Sequence, residues 1–168
     1  ASGNLLWNNA ESMGGNVITG QHVDCGLIGY LQNESIIFLN MDGNVEFEIP
    51  LVSAVVEFDG YTKDCPYAAI TYRNDKGTRF TTLYDREGNM LYEPVKGEMY
   101  VGNEDSIKLR KEGYLILDDE ENLKLVDISG NVVINFERDK YRNDFAVADN
   151  KLFQFCVGQK KIIIHDIQ

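Results

Sequence analysis

The sequence predicts an all-β fold built from four imperfect copies of one unit of about 42 residues. Three observations lead to this prediction. A Gly-Asn pair recurs along the chain, short apolar runs rich in β-branched and aromatic residues flank each pair, and hardly any segment has helical periodicity. The 168 residues are enough for one domain with its own core, so we interpret residues 1–168 as a single domain.

The recurring element is a turn centred on a glycine. The four glycines, spaced by 40, 45 and 42 residues, are Gly3, Gly43, Gly88 and Gly130. Glycine adopts the left-handed conformation that closes a bulged hairpin, and an Asp or Asn near the start of the turn can bond to its backbone. In three copies such a residue stands three positions before the glycine, as Asn40, Asp85 and Asp127. The pattern therefore predicts a β-hairpin at each copy.

Apolar runs on both sides of the turns predict the strands. The runs that precede the turns lie at 35–39, 79–84 and 122–126, and another hairpin lies upstream of each. A fourth strand is predicted before two of these units, at 53–58 and 145–148. Four antiparallel strands in about 40 to 45 residues is the size of a propeller blade. We therefore expect a small β-propeller, either four-bladed or part of a larger ring.

The two ends of the chain are complementary. The last unit ends just after Asp166, which takes the position of Asp85 and Asp127, and lacks the Gly-Asn pair and the strand after it. Residues 2–7 (SGNLLW) carry that missing piece. We expect strands from both termini to close the ring in one blade, and a longer array cut inside a repeat is the alternative.

The segment 104–112 is the one place where a short helix competes with a strand. Its apolar residues Ile107 and Leu109 alternate with polar ones, as they would in a strand with one buried face. We therefore predict a strand here.

Composition excludes some classes of partner. The chain has 16 basic and 27 acidic residues and a formal charge of −11, and the excess acid is spread over both halves. Such a surface repels phosphate backbones, so neither nucleic acid nor an anionic membrane is an expected partner. No apolar run reaches the roughly 18 residues of a membrane span, so none is predicted. No signal peptide is recognised either, and a removed leader or anchor stays open.

The cysteines and histidines do not form a recognisable reactive set. Cys25, Cys65 and Cys156 are odd in number and far apart, which argues against a disulfide framework or a zinc pair. One disulfide with a free thiol and three buried thiols both remain open. His22, with Asp24 beside it, lies three residues from Cys25, but neighbours on a strand point to different faces, so a packed cysteine is favoured over a nucleophile.

His165, next to Asp166, is interpreted as a strand-end residue beside the turn aspartate. We predict no catalytic residue, no metal site and no cofactor. A calcium site at the DGN or DxxG turns, without EF-hand spacing, is the alternative.

Two further features bear on contacts with partners. The acidic run at 118–121 lies at a predicted hairpin tip and is interpreted as a solvated turn, with contact to a cation or a basic partner as the alternative. Several of the nine tyrosines lie in strands and are expected in the core. Tyr61 and Tyr141 lie in polar loops between units, and they are the candidate binding residues.

The turn motif resembles that of known repeat families. LYDREGN at 83–89 and KLVDISGN at 124–131 are similar to bacterial propeller-like repeats of the WG-repeat kind and to lipoprotein-receptor-like (YWTD-type) propellers. The resemblance implies a propeller fold and a role as a binding or scaffolding module. Because many of those proteins are extracellular, it favours a secreted or cell-surface location over a cytoplasmic one.

Three functions are compatible with this sequence. The preferred hypothesis is a non-catalytic binding or scaffold module that recognises a protein or glycan partner, because the chain is repeat-built and lacks a clustered reactive set. The second is a carbohydrate-active enzyme with carboxylates in the propeller channel. The third is a structural segment of a larger repeat assembly. The oligomeric state stays open.

Overall fold

A computed structural model describes residues 27–32, 35–50, 54–59, 65–100, 109–139 and 142–167 of the chain. Strands and the turns that join them make up most of these ranges, so the predicted all-β class is confirmed. Within them, no helix has the length and apolar character needed to cross a membrane. The predicted closure by residues 2–7 lies outside the described residues and stays a prediction.

The strands of the described ranges form four open antiparallel sheets, each made of strands consecutive in the chain. Sheet 1 contains β1 (Leu27–Gln32), β2 (Ser35–Asn40) and β3 (Val45–Pro50). Sheet 2 contains β4 (Ala54–Asp59), β5 (Ala68–Arg73), β6 (Arg79–Tyr84) and β7 (Val95–Lys96). Sheet 3 contains β8 (Glu98–Met99), β9 (Leu115–Asp118), β10 (Leu123–Val126) and β11 (Val132–Phe136). Sheet 4 contains β12 (Asn143–Ala148), β13 (Lys151–Cys156) and β14 (Lys161–Asp166).

The predicted glycine turns are confirmed where the structure describes them. Gly43, Gly88 and Gly130 have φ of 82°, 82° and 81°, the left-handed conformation that the bulged hairpin requires. In each turn the glycine amide donates to the carbonyl of the Asp or Asn three residues earlier. The side-chain Oδ1 of that residue accepts the amides two and four positions later, at 2.8 to 3.1 Å.

The same turn also occurs where the Gly-Asn count did not find it. Between β5 and β6, Asn74 Oδ1 accepts the amides of Lys76 and Thr78 at 3.1 and 2.9 Å. Gly77 has a φ of 83°. The sequence pattern that determines this turn is therefore Asp or Asn followed three residues later by glycine. The residue after the glycine can vary.

The strand predicted after Gly88 is wrong. Only an isolated bridge joins Met90 to Tyr84, and the next strand, β7, begins at Val95. The chain leaves the ladder because Tyr92 turns into the core, where the hydroxyl of Thr82 donates to the Tyr92 carbonyl in place of a backbone amide.

The prediction of a strand at 104–112 is also wrong for residues 109–112, the part of this segment that the structure describes. Residues 109–111 form a helical turn, which ends where the amide of Gly113 donates to the Arg110 carbonyl at 2.9 Å. Leu109 and Arg110 are both buried, and two adjacent buried side chains do not fit a strand with one solvent face. The rest of the segment lies outside the described residues.

Successive sheets pack face to face, and their contacts make up the core of the described residues. Sheet 1 packs on sheet 2 through a cluster that includes Phe38 and Ile70. The opposite face of sheet 2 packs on sheet 3 through Leu83 and Leu117. Sheet 3 in turn packs on sheet 4 through a cluster that includes Leu125. Each of these sheets therefore presents the same side to the sheet that follows it.

Candidate binding site

A groove lies between sheets 3 and 4 and is called here the seam groove. Its volume is about 680 Å³. Apolar side chains form the floor and polar ones the rim; the lining residues are Leu109, Lys111, Glu112, Tyr114, Val147, Ala148, Asp149, Asn150 and Ile167. An apolar floor with a few polar groups at the rim is the usual composition of a binding pocket.

Backbone hydrogen bonds fix the walls of the seam groove. One wall is the two-residue turn between β12 and β13, where Asp149 and Asn150 have φ of 51° and 59°. Positive φ at both positions is the type I′ turn, and Asp and Asn tolerate it better than most residues. The Ile167 amide donates to the Asn150 carbonyl at 2.9 Å, which ties the residue after β14 to this turn. The other wall is the helical turn that ends at Gly113.

The rim of the seam groove favours a basic ligand over an acidic one. Glu112 and Asp149 are exposed carboxylates, Lys111 is an exposed cation, and Asn150 supplies an amide. The rim therefore has one more negative charge than positive, on a chain with a formal charge of −11. The floor suits an apolar or aromatic side chain.

A second, polar cleft lies at the opposite end of β9. Its volume is about 250 Å³, and basic residues from sheet 2 and acidic residues from sheet 3 face it; the lining residues are Lys76, Gly77, Thr78, Arg79, Lys96, Gly97, Glu98, Asp118, Asp119 and Glu120. Arg79 and Glu98 form an ion pair across it. Both charge signs are present, so the cleft has no clear preference for an anion or a cation.

The acidic run at 118–121 forms the predicted hairpin tip. Arg138 binds both carboxylate oxygens of Asp118, at 2.8 and 2.9 Å, and Lys124 lies 3.0 Å from Asp119. Burial works against the charged form of Asp119, but hydrogen bonds from Lys124 and from the backbone amides of the turn outweigh it and lower the pKa. Two of the four acids are thus held inside the fold. The predicted position at a hairpin tip is confirmed, whereas a wholly solvated turn is not, because Asp118 and Asp119 form ion pairs within the fold.

His165 is a packed strand-end residue, as the sequence predicts. Its ring is half-buried, lies edge-on to Phe136 with centroids 5.1 Å apart, and places Nε2 3.3 Å from Gln154 Oε1. Burial lowers the pKa of His165, which keeps the imidazole neutral at pH 7. Asp166 is bound by Lys151 at 2.6 Å, and this partner lowers the pKa of the carboxyl group.

The described cysteines are buried, and neither forms a disulfide. Cys65 Sγ accepts a hydrogen bond from Arg110 Nε at 3.2 Å, and burial raises the pKa of Cys156. A thiol with a raised pKa is a poor nucleophile. His22, Asp24 and Cys25 lie outside the described residues.

The candidate binding residues Tyr61 and Tyr141 lie outside the described residues, and their role stays a prediction. Tyr92 is buried, as expected of a core tyrosine. Within the described ranges, no group of three or more His, Cys, Asp or Glu side chains is placed to hold a metal ion. The sequence interpretation missed the seam groove altogether.

Comparisons with known proteins give a likeness of fold. No protein-family model matches the chain, and no curated protein matches it either. Among solved structures, BamB from Moraxella catarrhalis is similar at 14% identity and a TM-score of 0.46, over 89% of this chain and 53% of BamB. A Bacteroides caccae protein of unknown function is similar at 11% identity and a TM-score of 0.41, over 85% of this chain and 58% of that one. The chain thus spans less than two thirds of either structure, and with both TM-scores below 0.5 the likeness carries nothing about partners or chemistry.

Proposed function

We propose that this chain is a non-catalytic binding module that holds a segment of a partner protein in the seam groove. The observation that carries the proposal is the groove itself, with a volume of about 680 Å³, an apolar floor and a charged rim. The face-to-face packing of successive sheets supports the accompanying proposal of a small β-propeller. A secreted or cell-surface location remains the expectation from the turn motif.

The partner segment has an apolar or aromatic anchor flanked by basic residues. The anchor follows from the floor, where the half-buried Val147 and Ile167 offer aliphatic surface. The basic flanks follow from Glu112 and Asp149 at the rim and from the formal charge of −11, which speeds the approach of a cationic partner.

The described carboxyl groups support binding rather than hydrolysis. Glycoside hydrolysis needs one carboxylic acid whose pKa is raised so that it can donate a proton. The pKa is lowered in five described carboxyl groups, which are Asp85, Asp119, Asp127, Glu137 and Asp166. Hydrogen bonds and ion pairs hold these groups in their charged form, which suits structure and not proton donation.

Fluorescence polarisation with short labelled peptides tests the proposal. The probes carry one Trp or Leu anchor flanked either by Lys or, in a matched set, by Glu. We expect the Lys-flanked peptides to bind and the Glu-flanked peptides to bind more weakly. Ile167→Glu, which places a charge on the floor, should abolish binding. Glu112→Lys should weaken binding about two- to fivefold, the range for one exposed charge contact.

The control for the rim charge is Glu48→Lys, which changes the net charge equally but lies exposed on sheet 1. It should leave the affinity unchanged. If both substitutions weakened peptide binding equally, the effect would come from the net charge of the chain. The rim of the seam groove would then not be part of the binding site. Failure of every Lys-flanked peptide to bind, or hydrolysis of a substrate in a glycosidase panel, would overturn the proposal.

A further inference from the structure

The seam groove lies beside a free edge of sheet 4. Among the described strands, β12 pairs only with β13, so the other edge of β12 has no neighbouring strand there. In an antiparallel pair, successive residues point their backbone N–H and C=O groups alternately towards the partner strand and away from it. The residues of β12 that point away from β13 therefore present these groups to whatever lies next to the sheet.

Two contacts identify the residues of β12 that point away from β13. The two-residue turn places Ala148 opposite Lys151, and residues that flank a turn of this type bond to each other. Ala148 thus bonds to β13, and its neighbour Val147 points away. At the other end of the strand, the Asn143 carbonyl accepts the hydroxyl of Tyr100, a residue outside sheet 4, at 2.7 Å. Asn143 is an even number of residues from Val147, so the two contacts agree.

Val147 combines free backbone groups with an apolar side chain. Its backbone N–H and C=O make no hydrogen bond within the described part of the chain. Its side chain packs towards sheet 3 and lines the seam groove. In an added strand, the residue opposite Val147 would place its side chain about 5 Å from that of Val147, on the side of the groove.

The free edge of β12 also lacks the protection that proteins usually give to an exposed strand. Short length, bulges and charged side chains normally prevent another strand from pairing with an edge. The first strand of sheet 2, β4, has a bulge between Val55 and Glu57, and the first strand of sheet 3, β8, has only two residues. Strand β12 has six residues in unbroken register with β13, and residues 145–148 carry no charge.

We propose that the partner segment binds in an extended conformation and adds to sheet 4 as an antiparallel strand beside β12. This mode of binding rests on the proposed function of the seam groove and names the class of partner that fits it, an extended peptide and not a helix. The apolar anchor is the residue opposite Val147, and the two residues exchange both backbone hydrogen bonds. Because side chains alternate along a strand, the residues on either side of the anchor point away from the groove.

An N-methyl scan of the tightest Lys-flanked peptide tests the peptide side of these bonds, since each methyl group removes one backbone donor. Methylation of the anchor amide should weaken binding about tenfold or more, because that amide donates to the Val147 carbonyl. The amides of the two adjacent residues point away from β12 and are the matched controls. Their methylation should change the affinity by less than about twofold.

Amide exchange followed by NMR tests the protein side. With saturating peptide, the Val147 amide should exchange about tenfold more slowly or better, because it becomes the donor to the anchor carbonyl. The Ala148 amide, which already bonds to Lys151, is the internal control and should slow much less. If the peptide binds while exchange at Val147 is unchanged, or if methylation weakens binding equally at adjacent positions, strand addition is overturned and the seam groove is kept. If no peptide binds, both proposals are overturned.

Discussion

Replacing a turn glycine by alanine should lower the free energy of unfolding by different amounts at two turns that have the same backbone conformation. Gly77 and Gly130 have φ of 83° and 81°, so alanine at either position pays about 1 to 2 kcal/mol for the left-handed conformation. A Cβ at Gly77 would meet nothing within 4 Å. A Cβ at Gly130 would lie 3.0 Å from the Cβ, Cγ and Cδ2 atoms of Tyr92, which is buried.

Moving Tyr92 disturbs the core between sheets 2 and 3, and overpacking of this kind costs about a further 1 to 3 kcal/mol. We therefore expect Gly130→Ala to lower the free energy of unfolding by about 2 to 5 kcal/mol, and Gly77→Ala by about 1 to 2 kcal/mol. Urea denaturation monitored by circular dichroism measures both. Equal losses, within about 0.5 kcal/mol, would refute the reasoning, because the turn would then be independent of the ring beneath it.

Three further perturbations follow from the same structure. Asp127→Ala removes the acceptor of the Ser129 and Asn131 amides and should lower the free energy of unfolding by about 1 kcal/mol, whereas Asp127→Asn keeps Oδ1 and should cost much less in the same urea experiment. The folded pKa of His165 is lowered by burial, so stability should fall as the pH drops below about 6.5, and thermal melts of His165→Gln should show a flatter pH dependence. The hydroxyls of Tyr72 and Tyr84 lie 2.6 Å apart in the core, and either Tyr→Phe change should lower the free energy of unfolding by about 1 to 3 kcal/mol. The double change should cost less than the sum of the two single losses, because both remove the same hydrogen bond. Additive losses would contradict this.

The hairpins could be predicted from the sequence because their determinants are local. An Asp or Asn side chain bonds to amides two and four residues away, and a glycine adopts positive φ whatever surrounds it. The hairpin through Asn74 was predicted from its flanking strands, but the Gly-Asn pattern did not identify its turn as one of the same type, because the chain has Thr78 after the glycine. A turn that depends on local contacts of this kind can be predicted without knowledge of the tertiary structure.

The two wrong strand predictions have tertiary causes. Tyr92 leaves the ladder because it finds a buried site between sheets 2 and 3, and nothing in its neighbours along the chain signals this. Arg110 is buried beside Cys65, which is 45 residues away in sequence. Alternation of apolar residues could not anticipate a buried arginine.

The seam groove could not be predicted, because its lining comes from three separate segments that meet only when sheets 3 and 4 pack. Its one local signal is the Asp149-Asn150 pair, which is typical of a two-residue hairpin. Strand β14 has a clearer signal in the sequence. Ile162, Ile163 and Ile164 are consecutive, and a run without alternation is typical of a strand covered on both sides.

The chain-order stacking of sheets has a consequence for how the molecule responds to damage. In the described part of the chain, each hydrophobic cluster joins only two successive sheets. Energetic coupling among these sheets is then nearest-neighbour, as in repeat proteins, so a loosened contact between sheets 1 and 2 reaches the contact between sheets 2 and 3 only through sheet 2.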